Sequence, residues 1–180
     1  MVLGVNVMKI FSVTLVRSMQ NKLLFTVFGF CFFISSCHSE IKVGNFDYLT
    51  TVKVEKLKLE LSSQKDRCSI RLNNLQKGEL LDIPYPCGFV RAGETEIVAQ
   101  TYHYDGVGHV FVVAGPIAEK EAYSKNSGVS FKHMCSNQGQ VVIVQNGKLV
   151  LRKSQNVPLG FCHYLGFDEK DYYGFAYPVD

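Results

Sequence analysis

The six cysteines carry the most distinctive chemistry of this 180-residue sequence. Cys31 and Cys37 lie in or just after an apolar N-terminal stretch, and the other four are spread over the rest of the chain: Cys68, Cys87, Cys135 and Cys162. An even number of cysteines in a domain that leaves the cytoplasm indicates disulfides. Three pairings of the four are open. We favour the sequential one, the first with the second and the third with the fourth, because it closes loops of moderate length.

The thiols have two alternative uses. Zinc sites built from cysteine usually contain closely spaced pairs, and this sequence has no C-x-x-C spacing. A catalytic Cys135 would use His133 as its base, and its disulfide partner would then stay unpaired. We therefore expect structural disulfides, with no metal and no cofactor.

Two histidines flank a short turn. His103 and His109 stand on either side of Asp105-Gly106, between β-branched and aromatic residues that predict strands. A two- or four-residue loop would place the two side chains on opposite faces of the hairpin, and only an odd loop would bring them together to chelate a metal ion. We expect no metal site here. The neighbouring aromatic residues should pack across the strands: Tyr102, Tyr104 and Phe111.

The C-terminal stretch, residues 161–177, combines aromatic residues with three carboxylates and one imidazole. An enzyme could use Asp168 or Glu169 as a general base near His163. We favour an interpretation in which the aromatic residues pack on a sheet. The acidic residues then cap a short helix in solvent: Asp168, Glu169 and Asp171.

The same stretch is the best candidate for contact with a protein partner. Tyrosine is enriched among residues that dominate interface energies, and carboxylates complement a basic partner. The candidate partner-binding residues are Asp168, Glu169, Tyr172 and Tyr173. The sequence has neither a G-x-S-x-G nor an H-E-x-x-H motif, so we do not expect an enzyme.

The N-terminus has the layout of an export leader. Lys22 precedes an apolar run over residues 23–34. This run is shorter than the roughly 20 residues that span a membrane, and it suits the core of a signal peptide.

The leader ends in Ile34-Ser35-Ser36-Cys37, which resembles the lipobox of bacterial lipoproteins. In that family an aliphatic residue and two small residues precede the cysteine that is acylated before the leader is removed. The resemblance implies a signal peptide over residues 1–36, with Met8 or Met19 as alternative starts, and a lipid on Cys37. An ordinary secretory signal and an uncleaved short anchor remain alternatives.

Sorting and charge follow from the same segment. An Asp after the cysteine typically retains such lipoproteins at the inner membrane, so His38 implies the outer membrane. Three basic residues precede Cys37: Lys9, Arg17 and Lys22. Of the 19 basic residues, 16 therefore remain in the mature chain against 16 acidic ones. A neutral mature chain gives no reason to expect a nucleic-acid partner.

Hydrophobic alternation predicts a mainly β domain. Residues 51–61 alternate with one slip at Glu55-Lys56, as in a strand with a β-bulge or in two consecutive strands. Asp105-Gly106 and Asn146-Gly147 each separate two apolar runs and predict hairpins, the second with a type I′ turn. Short helices are expected over residues 117–125 and 168–173. We predict an antiparallel β-sandwich or partial barrel with one or two short helices, stabilised by disulfides.

These features together predict a lipid-anchored protein of the cell envelope, periplasmic or surface facing. Residues 37–49 would be the lipidated cysteine and its tether, and residues 50–180 one β-rich domain. The expected function is non-enzymatic protein binding, most specifically as an immunity protein that neutralises an antibacterial toxin. The alternatives are an accessory lipoprotein of an envelope or secretion complex and a lipoprotein that binds a small ligand or metal.

We predict that Cys37→Ser abolishes lipidation, because the serine hydroxyl cannot form the thioether of the anchor. Labelling with radioactive palmitate should be lost, and the leader should stay attached, because it is removed only after the cysteine is acylated. Cys31→Ser is the matched control and should be both labelled and cleaved. Undiminished labelling of the Cys37 variant would contradict the lipobox interpretation.

Overall fold

The structure, a computed structural model, describes residues 46–75, 77–125 and 128–178. The expected signal peptide, Cys37 and the first part of the tether lie outside the described residues. The first sheet has the strand order β1 (Thr51–Val54), β2 (Leu57–Gln64), β3 (Arg67–Leu72) and β4 (Glu79–Pro84). The second contains β5 (Gly88–Phe89), β6 (Thr101–Tyr104), β7 (Gly108–Ala114), β8 (Cys135–Gln145) and β9 (Lys148–Cys162).

All strand pairs between these elements are antiparallel. In the second sheet the order is β5-β7-β8-β9. β5 and β6 pair with the same edge of β7, β6 with residues 108–111 and β5 with residues 113 and 114. The helical elements are α1 (Lys120–Lys125), α2 (Glu169–Ala176) and a 3₁₀ turn (Phe131–His133). The mainly β prediction with short helices is confirmed.

The turn residues explain two of the hairpins. The slip at Glu55-Lys56 is a two-residue turn between consecutive strands, because Val54 pairs with Leu57. Asn146 and Gly147 have φ of 51° and 72°, the positive values that a type I′ turn requires. The predicted Asn-Gly hairpin is therefore confirmed.

Strand β7 is buried on both faces. Phe111 and Val113 point into the core between the two sheets, together with apolar residues of β2, β3 and β4. Val110 and Val112 point the other way, into a second core that α2 covers with Tyr172. The two sheets thus form a β-sandwich, and α2 lies on the outer face of the second sheet.

Two disulfides fix this arrangement. Cys68 on β3 is bonded to Cys87, just before β5, and so links the two sheets. Cys135 at the start of β8 is bonded to Cys162 at the end of β9. This is the sequential pairing that we favoured. Because Cys135 is oxidised, it cannot act as a nucleophile beside His133.

The packed domain extends further towards the N-terminus than the predicted start at residue 50. The Leu49 carbonyl accepts a hydrogen bond of 2.9 Å from the Phe89 amide. The Phe46 ring lies 5.1 Å from the ring of His163, measured between centroids. Residues 46–49, which we assigned to the tether, therefore pack against the domain.

We predict opposite stability effects for two glycine substitutions. A Cβ at Gly139 on β8 would overlap the Phe161 ring, whereas a Cβ at Gly174 in α2 would meet no atom within 4 Å. Gly139→Ala should lower the free energy of unfolding by about 1–3 kcal/mol through overpacking. Gly174→Ala should raise it by up to about 1 kcal/mol, because alanine is the better helix former. Urea unfolding measures both, and a neutral Gly139→Ala would contradict this packing.

Candidate functional site

The inner side of α2 is part of the core. Tyr172 has 0% of its surface exposed, and its hydroxyl donates a hydrogen bond of 3.0 Å to the Gln100 carbonyl. Burial also raises the pKa of Tyr172. Our assignment of Tyr172 to a partner-binding surface is corrected by this burial, because its ring cannot reach a partner.

The outer side of α2 and the edge strand β6 form an aromatic surface. We define this tyrosine face by four residues: Tyr102, Tyr104, Tyr173 and Tyr177. Tyr173 and Tyr177 lie one helical turn apart and are 58% and 40% exposed. Alternation along β6 turns Tyr102 and Tyr104 towards the same side. The ring centroid of Tyr104 lies 6.0 Å from that of Tyr173 and 5.9 Å from that of Tyr177.

Hydrogen bonds orient two of these rings. The Tyr177 hydroxyl donates to the Asp105 carbonyl at 3.2 Å, and the Tyr104 hydroxyl donates to the Glu169 carbonyl at 3.3 Å. Desolvation and, to a smaller degree, the Glu169 carboxylate raise the pKa of Tyr104. Its hydroxyl therefore remains a protonated donor at neutral pH, and the face is organised before any partner arrives.

The predicted acidic residues lie beside this face. Asp168 is the N-cap of α2: its carboxylate accepts a 2.8 Å hydrogen bond from the Asp171 amide, and the Asp171 carboxylate accepts one of 3.3 Å from the Asp168 amide. This capping box confirms the structural interpretation of the two residues. Together with Glu169 they are exposed and give the N-terminus of α2 a negative edge.

His163 occupies a different environment. It is 1% exposed, and its Nε2 lies 3.0 Å from the Gly115 carbonyl, so Nε2 carries the proton. Its ring packs against Phe46 and Tyr48. Burial, with a smaller contribution from the Arg91 guanidinium, lowers the pKa of His163 to about 4. A neutral, buried imidazole of this kind stabilises the interior and has no access to a substrate.

The two turn histidines are adjacent, contrary to our expectation. Tyr104 pairs with Gly108, so three residues form the loop, and His103 stands directly opposite His109. Their ring centroids are 4.8 Å apart. Our assumption of an even-numbered loop was wrong. Gly106 and Gly108 both have positive φ, which permits a turn with three loop residues.

A pocket of about 690 Å³ opens beside the histidines. We call it the rim pocket, because three hairpin turns of the sandwich surround it. They are Glu55-Lys56 between β1 and β2, residues 105–107 between β6 and β7, and Asn146-Gly147 between β8 and β9. Sequence patterns could not predict this pocket, because the three turns are far apart along the chain.

Protein-family models, curated proteins and solved structures were compared with the chain, and none of them matches. Among the described residues, no helix has both the length and the apolar character needed to cross a membrane. The most distinctive surfaces of the domain are the tyrosine face and the rim pocket.

We predict that His163 makes the domain less stable in acid. Its pKa is about 4 in the folded protein and 6.5 when unperturbed, so the unfolded chain binds an additional proton between these values. The contribution of the neutral His163 side chain to the free energy of unfolding is complete above pH 6.5. It falls by about 1.4 kcal/mol per pH unit below that, to a total loss of about 3 kcal/mol near pH 4.

Urea unfolding at pH 7.5 and 4.5 measures this loss. His163→Gln is the control, because glutamine does not titrate and should remove this part of the pH dependence whatever its own stability. The same dependence in both proteins would assign the acid sensitivity to other groups.

Proposed function

We propose that this chain is a lipid-anchored envelope protein that acts as a non-enzymatic protein-binding module. The single observation that carries the proposal is the exposed tyrosine face beside the acidic edge of α2. Tyrosine rings supply a large contact area at a small cost in conformational entropy, and the neighbouring carboxylates complement basic side chains. A basic protein is therefore the partner chemistry that this surface fits.

The organisation of the face supports recognition. Tyr104 and Tyr177 are held by hydrogen bonds to main-chain carbonyls, so little rotamer freedom remains to be lost on binding. Tyr173 is more exposed than Tyr177, and the centroids of the two rings are 4.8 Å apart. Exposed aromatic residues on a rigid helix are typical of binding hot spots.

The two disulfides support an exported domain, since such bonds persist outside the cytoplasm. The proposed lipid on Cys37 precedes Phe46 by nine positions. Nine residues reach at most about 32 Å when fully extended. The anchor would thus keep the domain close to the outer membrane, at its periplasmic or outer surface.

Within this class we propose immunity against an exported antibacterial toxin. The tyrosine face would occlude the toxin's active site, and the acidic edge would attract basic residues around it. The structural alternative, an accessory role in an envelope or secretion complex, would use the same face for a permanent neighbour. The two differ in what a capture experiment recovers.

We predict that the protein captures a partner from its own organism, and that this binding depends on the tyrosine face. The tagged, lipidated chain is purified from detergent-solubilised membranes of its own organism, and bound proteins are identified by mass spectrometry. Recovery of one toxin-like protein at near-equal stoichiometry would support immunity. Recovery of envelope assembly components would favour the structural alternative, and recovery of nothing would oppose both.

A double variant, Tyr173→Ala with Tyr177→Ala, should weaken the affinity for the captured protein by at least about 10-fold. Leu75→Ala is the control, because it truncates a similarly exposed side chain outside the tyrosine face: Leu75 is 57% exposed and Tyr173 58%. Thermal unfolding should show that both variants remain folded. Equal capture by the wild type and the double variant would place the binding surface elsewhere.

A further inference from the structure

Three side chains of types that can bind metal ions line the rim pocket. His103 and His109 come from neighbouring strands of the second sheet, and Glu55 comes from the β1–β2 turn of the first. We infer that these residues form a binding site for a divalent transition-metal ion of the zinc class, which would link the two sheets. This inference does not depend on the tyrosine face or on the lipid anchor.

Strand register places both imidazoles on one side. His109 and Phe111 are two positions apart on β7 and therefore share a face, and Phe111 belongs to the core between the sheets. His103 pairs directly with His109 and so shares that face. The imidazoles consequently point towards the first sheet at the open end of the sandwich.

The distances are close to those of a coordinated ion. Ligands of a tetrahedral zinc ion lie about 2.0–2.2 Å from the metal, which places two of them about 3.3 Å apart. The Nε2 atom of His109 lies 3.7 Å from the Oε1 atom of Glu55. The two ring centroids are 4.8 Å apart, against about 5 Å for two imidazoles on one tetrahedral ion.

Side-chain rotations are needed to complete the site. The described residues contain no cluster of three or more His, Cys, Asp or Glu side chains already placed around a metal position. His103 is exposed, and the Glu55 side chain is 73% exposed, so both are free to turn towards His109. Asp105 also lines the pocket and adds negative charge, which partly offsets the positive charge of Lys56.

The ligand chemistry selects the ion. Two imidazoles and one carboxylate suit zinc, copper and nickel, whereas magnesium prefers oxygen ligands in octahedral geometry. Three protein ligands leave a fourth zinc position for water. Because the ion would contact both sheets only in the folded state, its binding should stabilise the fold.

The test is calorimetric titration of the full, detergent-solubilised protein with zinc chloride after removal of metals by a chelator. We expect saturable binding of one ion per chain, a rise in the melting temperature, and no such response to magnesium. His103→Ala and His109→Ala should each weaken zinc binding by at least about 10-fold, since loss of mere outer-shell partners costs about 10–100-fold.

His133→Ala is the matched control, because this histidine lies in the 3₁₀ turn and does not line the rim pocket. Melting of the metal-free variants shows whether they fold, and shifts of the imidazole NMR signals on adding zinc locate the ligands in the wild type. Zinc binding that survives the double variant His103→Ala with His109→Ala would overturn the inference. If Glu55→Gln bound zinc as tightly as the wild type, Glu55 would not be a ligand and the ion would not link the two sheets.

Discussion

The layered arrangement follows from the burial of strands β7 and β8 of the second sheet, whose central residues are buried on both faces. Apolar side chains alternate in direction along β7, so Val112 and Val113 point into different cores, and both are almost completely buried. A sheet of this kind needs a covering layer on each side. The first sheet covers one face and α2 covers the other. The first sheet contributes Glu55 to the rim pocket, and α2 contributes Tyr173 to the tyrosine face.

Disulfides and aromatic contacts hold these layers together. The Cys68–Cys87 bond links the sheets, and the Cys135–Cys162 bond closes the open end of the β8–β9 hairpin. Near that end, residues 46–49 pack over His163, whose Nδ1 atom has no hydrogen-bond partner. Residues 46–49 are therefore part of the interior's cover.

The alternation of a single short strand separates the two candidate sites. On β6, Tyr102 and Tyr104 turn towards α2 and the tyrosine face, whereas His103 between them turns towards the first sheet and the rim pocket. A protein partner and a metal ion would consequently use opposite faces of the same strand. The two sites share the short loop after Tyr104, where Asp105 lines the rim pocket and its carbonyl accepts the hydrogen bond from Tyr177.

Local sequence patterns were sufficient to predict four features: the β character, the Asn-Gly hairpin, the Asp168 cap and the number of cysteines available for disulfides. These depend on strand periodicity, on the φ angles of a few turn residues and on contacts within one helical turn. Three other features follow from long-range packing: which cysteines pair, that Tyr172 is buried while Tyr173 is exposed, and that His103 lies near His109 and Glu55. Each of these depends on the register of a loop or on residues distant along the chain, and short-range patterns carry no information about either.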